Sequence, residues 1–130
     1  VFNIRTAVVA AVACMGATAA FAQAPAMPTQ DDMIAASKNQ LGILEYCQGK
    51  GFVEQDVVDI QNRLMAALPP SETPDVAEAA YQQGLEGKVS AMGTEVSIAD
   101  AATAQGTTEE AFCGQISDLV KQLGASLPAQ

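Results

Sequence analysis

Two cysteines constrain this chain more than any other feature. Cys47 closes the stretch NQLGILEYC and is followed by Gln-Gly-Lys-Gly-Phe; Cys113 lies 66 positions later, in EEAFCGQISDLV. Neither sits in a Cys-x-x-Cys unit, and the chain has no histidine. A zinc site and a cysteine–histidine catalytic pair therefore lack their partners. The expected arrangement is a disulfide tying the first helix of the fold to the last. Closing a loop of that length is worth about 4 kcal/mol in the chain-entropy model. That is a large part of the ~5–15 kcal/mol that holds a small domain together.

The third cysteine, Cys14, belongs to a different kind of segment. Arg5 is the only charge before Asp31, and an alanine-rich apolar run spans Ala7 to Ala20. Ala20-Phe21-Ala22 then supplies the small-x-small pattern of a signal-peptidase site. Residues 1–22 read as a secretory signal, with periplasmic or secreted localisation to follow. The run is short of the ~20 apolar residues that a membrane span needs. A competing reading takes Ala11-Val12-Ala13-Cys14 as a lipoprotein box, with Cys14 as a lipidated terminus.

Removing residues 1–22 leaves one domain's length, with 5 basic and 15 acidic side chains. A balance that acidic repels nucleic acid and anionic lipid at neutral pH. It serves either solubility or a pH response, because carboxylates lose their charge as the pH falls toward about 4.

The expected organisation is a disordered Pro/Ala leader at 23–29, a single helical domain at 30–127 and a tail at 128–130. The first helix starts at Gln30 or Asp31, where two aspartates face the positive end of the helix dipole. It carries Met33, Ile34, Leu41, Ile43, Leu44 and Cys47, and Gly49 and Gly51 end it. Gly42, costly in a helix interior, marks either close packing or a bend. A second helix runs from Gln55 to Leu68, with Val57, Ile60, Leu64 and Leu68 at helical spacing, and Pro69-Pro70 stops it. A third opens with Thr73 as cap and Pro74 at its first position. It carries Val76, Ala79, Ala80 and Leu85, and fades at Gly84 or Gly87. Residues 88–96, KVSAMGTEV, alternate as a short hairpin does. Ser97 and Asp100 have the spacing of a capping box for a short helix, Ile98 to Gln105. Thr107 and Glu110 repeat that spacing before the last helix, which should bury Phe112, Ile116, Leu119, Val120 and Leu123. The fold class expected is mainly α: a bundle of four to five helices with one short hairpin and one disulfide.

The chemistry available to this chain is narrow. Serine–histidine triads are excluded, no Gly-rich phosphate loop occurs, and no tryptophan is present to stack a sugar. Glu54, Asp56 and Asp59 lack the oxygen spacing and turn glycine of a calcium loop, and read as a solvated helix start. Tyr46 reads as a half-buried cover for the disulfide, and Met33, Met65 and Met92 as fillers of core gaps. No catalytic residue, cofactor or metal ligand is assigned; the sites expected are Cys47 and Cys113 as a disulfide.

At NQLGILEYCQGKGF, and again at VSAMGTEVSIADAATAQGTTEEAFC, the sequence resembles a group of small exported alphaproteobacterial proteins, over residues 35–127. These are identified as members of the pore-forming early-secretory-antigenic-target family. The resemblance implies a non-enzymatic, membrane-active protein with lipid as its partner. Better-known members are helical hairpins with a Trp-x-Gly turn, which this chain lacks. A looser similarity of architecture, to small disulfide-held acid-stress chaperones of the periplasm, implies a protein partner instead. The oligomeric state is left open by both.

Overall fold

The structure, a computed structural model, describes residues 26–91 and 93–128. The signal reading of 1–22 and the alternative at Cys14 lie outside the described residues, as does Met92. Five helices and one hairpin follow in chain order: α1 (Gln30–Gly49), α2 (Gln55–Ala66), α3 (Pro74–Leu85), β1 (Lys88–Ala91), β2 (Thr94–Ser97), α4 (Ile98–Ala104) and α5 (Glu109–Gly124). The fold is mainly α, as expected, and Cys47 is joined to Cys113.

Helix α1 is the element around which the others assemble. Its N-terminus is a full capping box: the Thr29 hydroxyl accepts from the Asp32 amide, and the Asp32 carboxylate accepts from the Thr29 amide at 2.8 Å. Thr29 therefore belongs to the helix start and not to a leader. The C-terminus is a Schellman turn. Gly51, at φ +80°, lets its own amide reach the Gln48 carbonyl and the Phe52 amide reach the Cys47 carbonyl; a residue with a Cβ would be strained there. Between these ends, the four consecutive residues Leu41, Gly42, Ile43 and Leu44 are all buried. At about 100° per residue such a run is covered on every side.

Each neighbour of α1 is fastened in a different way. Helix α3 crosses it at Gly42 and Gly84, backbone against backbone. Helix α2 is tied by the buried Gln61, whose Nε2 donates to the Ser37 carbonyl at 3.1 Å. Helix α5 is tied by the disulfide. The hairpin is held by the buried Asn39: its Nδ2 donates to the carbonyls of Ala80 and Lys88, both at 2.9 Å, and its Oδ1 accepts from the Ser90 amide at 3.1 Å. The Asn39 amide thus takes the place of a missing strand along β1 and satisfies backbone groups that would otherwise be orphaned.

The hairpin pairs antiparallel, with Lys88 opposite Ser97 and Ala91 opposite Thr94. Gly87, just before it, has φ +73°, and a Cβ there would press on the Tyr46 ring. The core is small and aliphatic: Leu44, Val57, Ile98 and Val120 are fully buried around the disulfide.

Several expectations are corrected. Thr73 stands at the cap position of α3, but its hydroxyl makes no cap bond; its own amide donates to the Ser71 hydroxyl at 3.0 Å. The last helix is capped by Thr108, whose hydroxyl accepts from the Ala111 amide, and not by Thr107. The expected stripe of α5 is rotated. The face turned inward is Cys113, Ser117 and Val120, while Leu119 and Leu123 are about half exposed. The disulfide fixes this rotation, since Cys113 must face Cys47. Val76 and Met33 are likewise exposed, and Leu68 is 37% exposed.

Candidate functional site

A concave surface with a mainly apolar lining lies where α1, the end of α2 and the start of α3 converge. Ile34, Lys38 and Leu41 come from one face of α1, at positions i, i+4 and i+7. Asn62, Met65 and Ala66 come from α2, Leu68, Pro69, Pro70 and Ser71 from the loop after it, and Pro74, Ala77 and Glu78 from α3. The groove has a volume of about 470 Å³. Three prolines make its loop wall stiff, because each fixes its own φ and restricts the residue before it.

The loop is held by Asp31. Its Oδ1 accepts from the Ser71 hydroxyl at 2.7 Å and from the Glu72 amide at 2.9 Å. Those donors favour the charged form, led by Ser71, and hold the Asp31 carboxyl below the usual carboxylate range. The Asp31 carboxylate thus ties the groove's loop wall to the first turn of α1.

Lys38 is the cation of the groove. Its Nζ lies 5.8 Å from the centroid of the Tyr81 ring, within reach of a cation–π attraction. The Tyr81 hydroxyl donates to Glu45 at 2.8 Å. Donation to that carboxylate, helped by burial, pushes the phenol up to about 12. Among the described residues the one ion pair is Lys88 with Glu86, so the Lys38 ammonium is not neutralised by a carboxylate. Tyr46 forms a second pair of the same kind, its hydroxyl donating to Glu109 at 2.6 Å while Lys50 lies 5.3 Å from its ring. It is half-buried against the cluster that contains the disulfide.

A second, more open concavity of about 610 Å³ is lined by Glu45, Tyr46, Gln48, Gln55 and Asn62 among others. It is predominantly polar, and Glu45 and Tyr46 are already engaged there with Tyr81 and Glu109. Glu54, Asp56 and Asp59 are all exposed at the start of α2, where Asp59 accepts from Gln55 at 3.0 Å. Among the described residues no group of three or more histidine, cysteine, aspartate or glutamate side chains is placed to hold a metal ion. Both expected site residues, Cys47 and Cys113, are fully buried and bonded to each other, so the bridge acts as a structural tie. The sequence reading missed the groove. Its signal was available in Pro69, Pro70 and Pro74 following Met65 and Leu68, an apolar helix end turned back by stiff residues.

Comparison with known proteins finds no matching family model and no significant similarity to a curated protein or to a solved structure. The fold and groove define a class only: a disulfide-tied helical bundle with a mainly apolar groove bordered by Lys38 and Glu78.

Proposed function

We propose that this chain is an exported, non-enzymatic interaction module that takes apolar segments of other polypeptides into the groove between α1, α2 and α3. The observation that supports it is the groove itself: apolar walls from three elements, a stiff proline loop, and a tether from that loop to Asp31. Such a site suits side chains of a partner's extended or partly unfolded segment. Lys38 and Glu78 at its border offer one charge of each sign to polar groups flanking the apolar residues of such a segment. The disulfide fits use in an oxidising compartment.

The test is light scattering from an acid-unfolded reporter enzyme returned to neutral pH with increasing oxidised protein. Scattering falls with dose, Leu68→Glu in the groove wall abolishes the effect, and Leu119→Glu on the opposite end of the chain leaves it unchanged. Scattering that stays at the control level through a large molar excess rejects the module reading.

A second reading, membrane activity as the resemblance implies, draws on the half-exposed Leu119 and Leu123. Among the described residues no helix is long and apolar enough to cross a membrane, so this reading requires an assembly or binding at the lipid surface. Leakage of dye from liposomes at pH 7 and pH 4.5 separates the two: leakage supports membrane activity, and intact vesicles in every condition remove it.

A further inference from the structure

We propose that α5 is the contact surface for a second copy of this chain, packed antiparallel across a two-fold axis between Ile116 and Leu119. The inference is independent of the groove.

Phe112, Ile116, Leu119 and Leu123 form a continuous ridge beside the buried face of α5. Phe112 and Ile116 are partly buried against the core, while Leu119 is 50% and Leu123 is 48% exposed. Their spacing of four, three and four residues is that of a coiled-coil seam. It also reads the same in both directions. A two-fold axis at its centre sets Phe112 against Leu123 of the second copy, and Ile116 against Leu119. An isologous contact requires such self-complementarity.

Charge points the same way. The chain carries a formal net charge of −9, so two copies repel over most of their surfaces. At about 100° per residue, the outer flank of the ridge is formed by Thr108, Gln115 and Gln122, none of them charged. Glu110, Asp118 and Lys121 fall on the far side of the helix. Glu109, at its start, is turned to the Tyr46 hydroxyl. The ridge is thus a neutral, apolar strip on an acidic molecule, where two copies can meet without opposing charges. A lipid surface is the poorer occupant: interfacial helices carry lysine and arginine on the polar face, and α5 has only Lys121 against Glu109, Glu110 and Asp118.

The contact is modest. Sixteen residues make a helix of about 24 Å, and two such helices side by side fall at the low end of interface sizes, below about 1,200 Å² in total. The dimer is therefore a reversible one.

Sedimentation equilibrium of the oxidised protein tests this between about 1 and 100 µM, where weak complexes form. The mass rises toward that of a dimer across the range. Leu119→Glu and Leu119→Lys each raise the dissociation constant about tenfold or more, with unchanged helical circular dichroism because the position is half exposed. Mixing the two variants restores a heterodimer, since the two copies of residue 119 flank the axis. A monomer at every concentration overturns the proposal, as does a dimer indifferent to both variants or a mixture that is not rescued. A monomer that sediments with phosphatidylcholine vesicles, and loses them on Leu119→Glu, overturns it in favour of lipid.

Discussion

Gly42 of α1 and Gly84 of α3 meet with no side chain between them: a Cβ on either would stand 2.9 Å from the Cα of the other. The same Cβ on Gly42 would lie 2.8 Å from the Leu85 amide nitrogen, and on Gly84 it would lie 2.8 Å from that of Ile43. These neighbours are backbone and cannot rotate away. Alanine ordinarily gains about 1 kcal/mol over glycine in a helix, but overpacking costs about 1–3 kcal/mol or more. Gly42→Ala and Gly84→Ala should each destabilise the protein in urea. Gly114→Ala on α5, where a Cβ meets nothing within 4 Å, should stabilise it by up to about 1 kcal/mol. Equal stability of all three variants would show that the crossing is not close-packed.

The Asn39 side chain joins α1, α3 and β1. Asn39→Ala removes three hydrogen bonds in a buried position, and an orphaned buried group costs about 1–3 kcal/mol. The variant should lose about 2–4 kcal/mol in urea denaturation. The Ser90 amide should exchange with solvent faster by more than the global loss accounts for. Uniform acceleration across the chain would mean that Asn39 does not anchor the hairpin in particular.

The local parts of this fold were legible because local chemistry decides them. Gly51 stops α1, Pro74 starts α3, Ser97 caps α4, and alternation with Gly93 at the turn marks the hairpin. The cysteine pair gave the one long-range contact, since the expected removal of residues 1–22 leaves two cysteines and one way to pair them. What could not be read depends on which face of each helix turns inward. Spacing alone placed Leu119 and Leu123 in the core, and the disulfide turned them out by bringing Cys113 in. Gly42 was ambiguous until its counterpart Gly84 was known, and Asn39 looks like any polar residue until Lys88 and Ser90 are laid beside it. The groove was hidden for the same reason. Its lining comes from α1, α2 and α3, so no single stretch displays it.

Tyr81 donates to Glu45, which pushes its phenol up from the ordinary 10.0 to about 12; Tyr46 is raised as well, chiefly by donating to Glu109. A raised folded-state value means that the folded protein holds the proton more tightly than the unfolded chain. Its contribution is complete below pH 10 and is lost as the pH rises through the folded value. Ultraviolet difference titration should show neither tyrosine ionising at its ordinary value. In Tyr46→Phe, the remaining signal should titrate near 12 while the protein is folded. A midpoint near 10.0 in the folded variant would mean that the Tyr81–Glu45 bond is not maintained in solution.

Asp31 gives the acid side of the same logic, with the opposite sign. Its donors, Ser71 first, hold it below the ordinary 3.8, and Asp32 is lowered in the same way by Thr29. A depressed carboxyl contributes stability above 3.8 and loses that contribution as the pH falls through its folded value. The tether on the groove wall should therefore survive mild acid and release only below pH 3.8. The Glu72 amide, which donates to Asp31, reports on it directly: its proton chemical shift should move with a midpoint below 3.8. Asp31→Asn retains a carbonyl oxygen that can accept both bonds without titrating, so the shift should become flat in that range. A midpoint at or above 3.8 would mean that the carboxylate gains nothing from the loop. The window also bears on function. Capture is proposed with the tether intact, so it should persist at pH 4.5 as at neutral pH. Capture that is lost at pH 4.5 but retained there in Asp31→Asn would mean that the tether releases above its expected window.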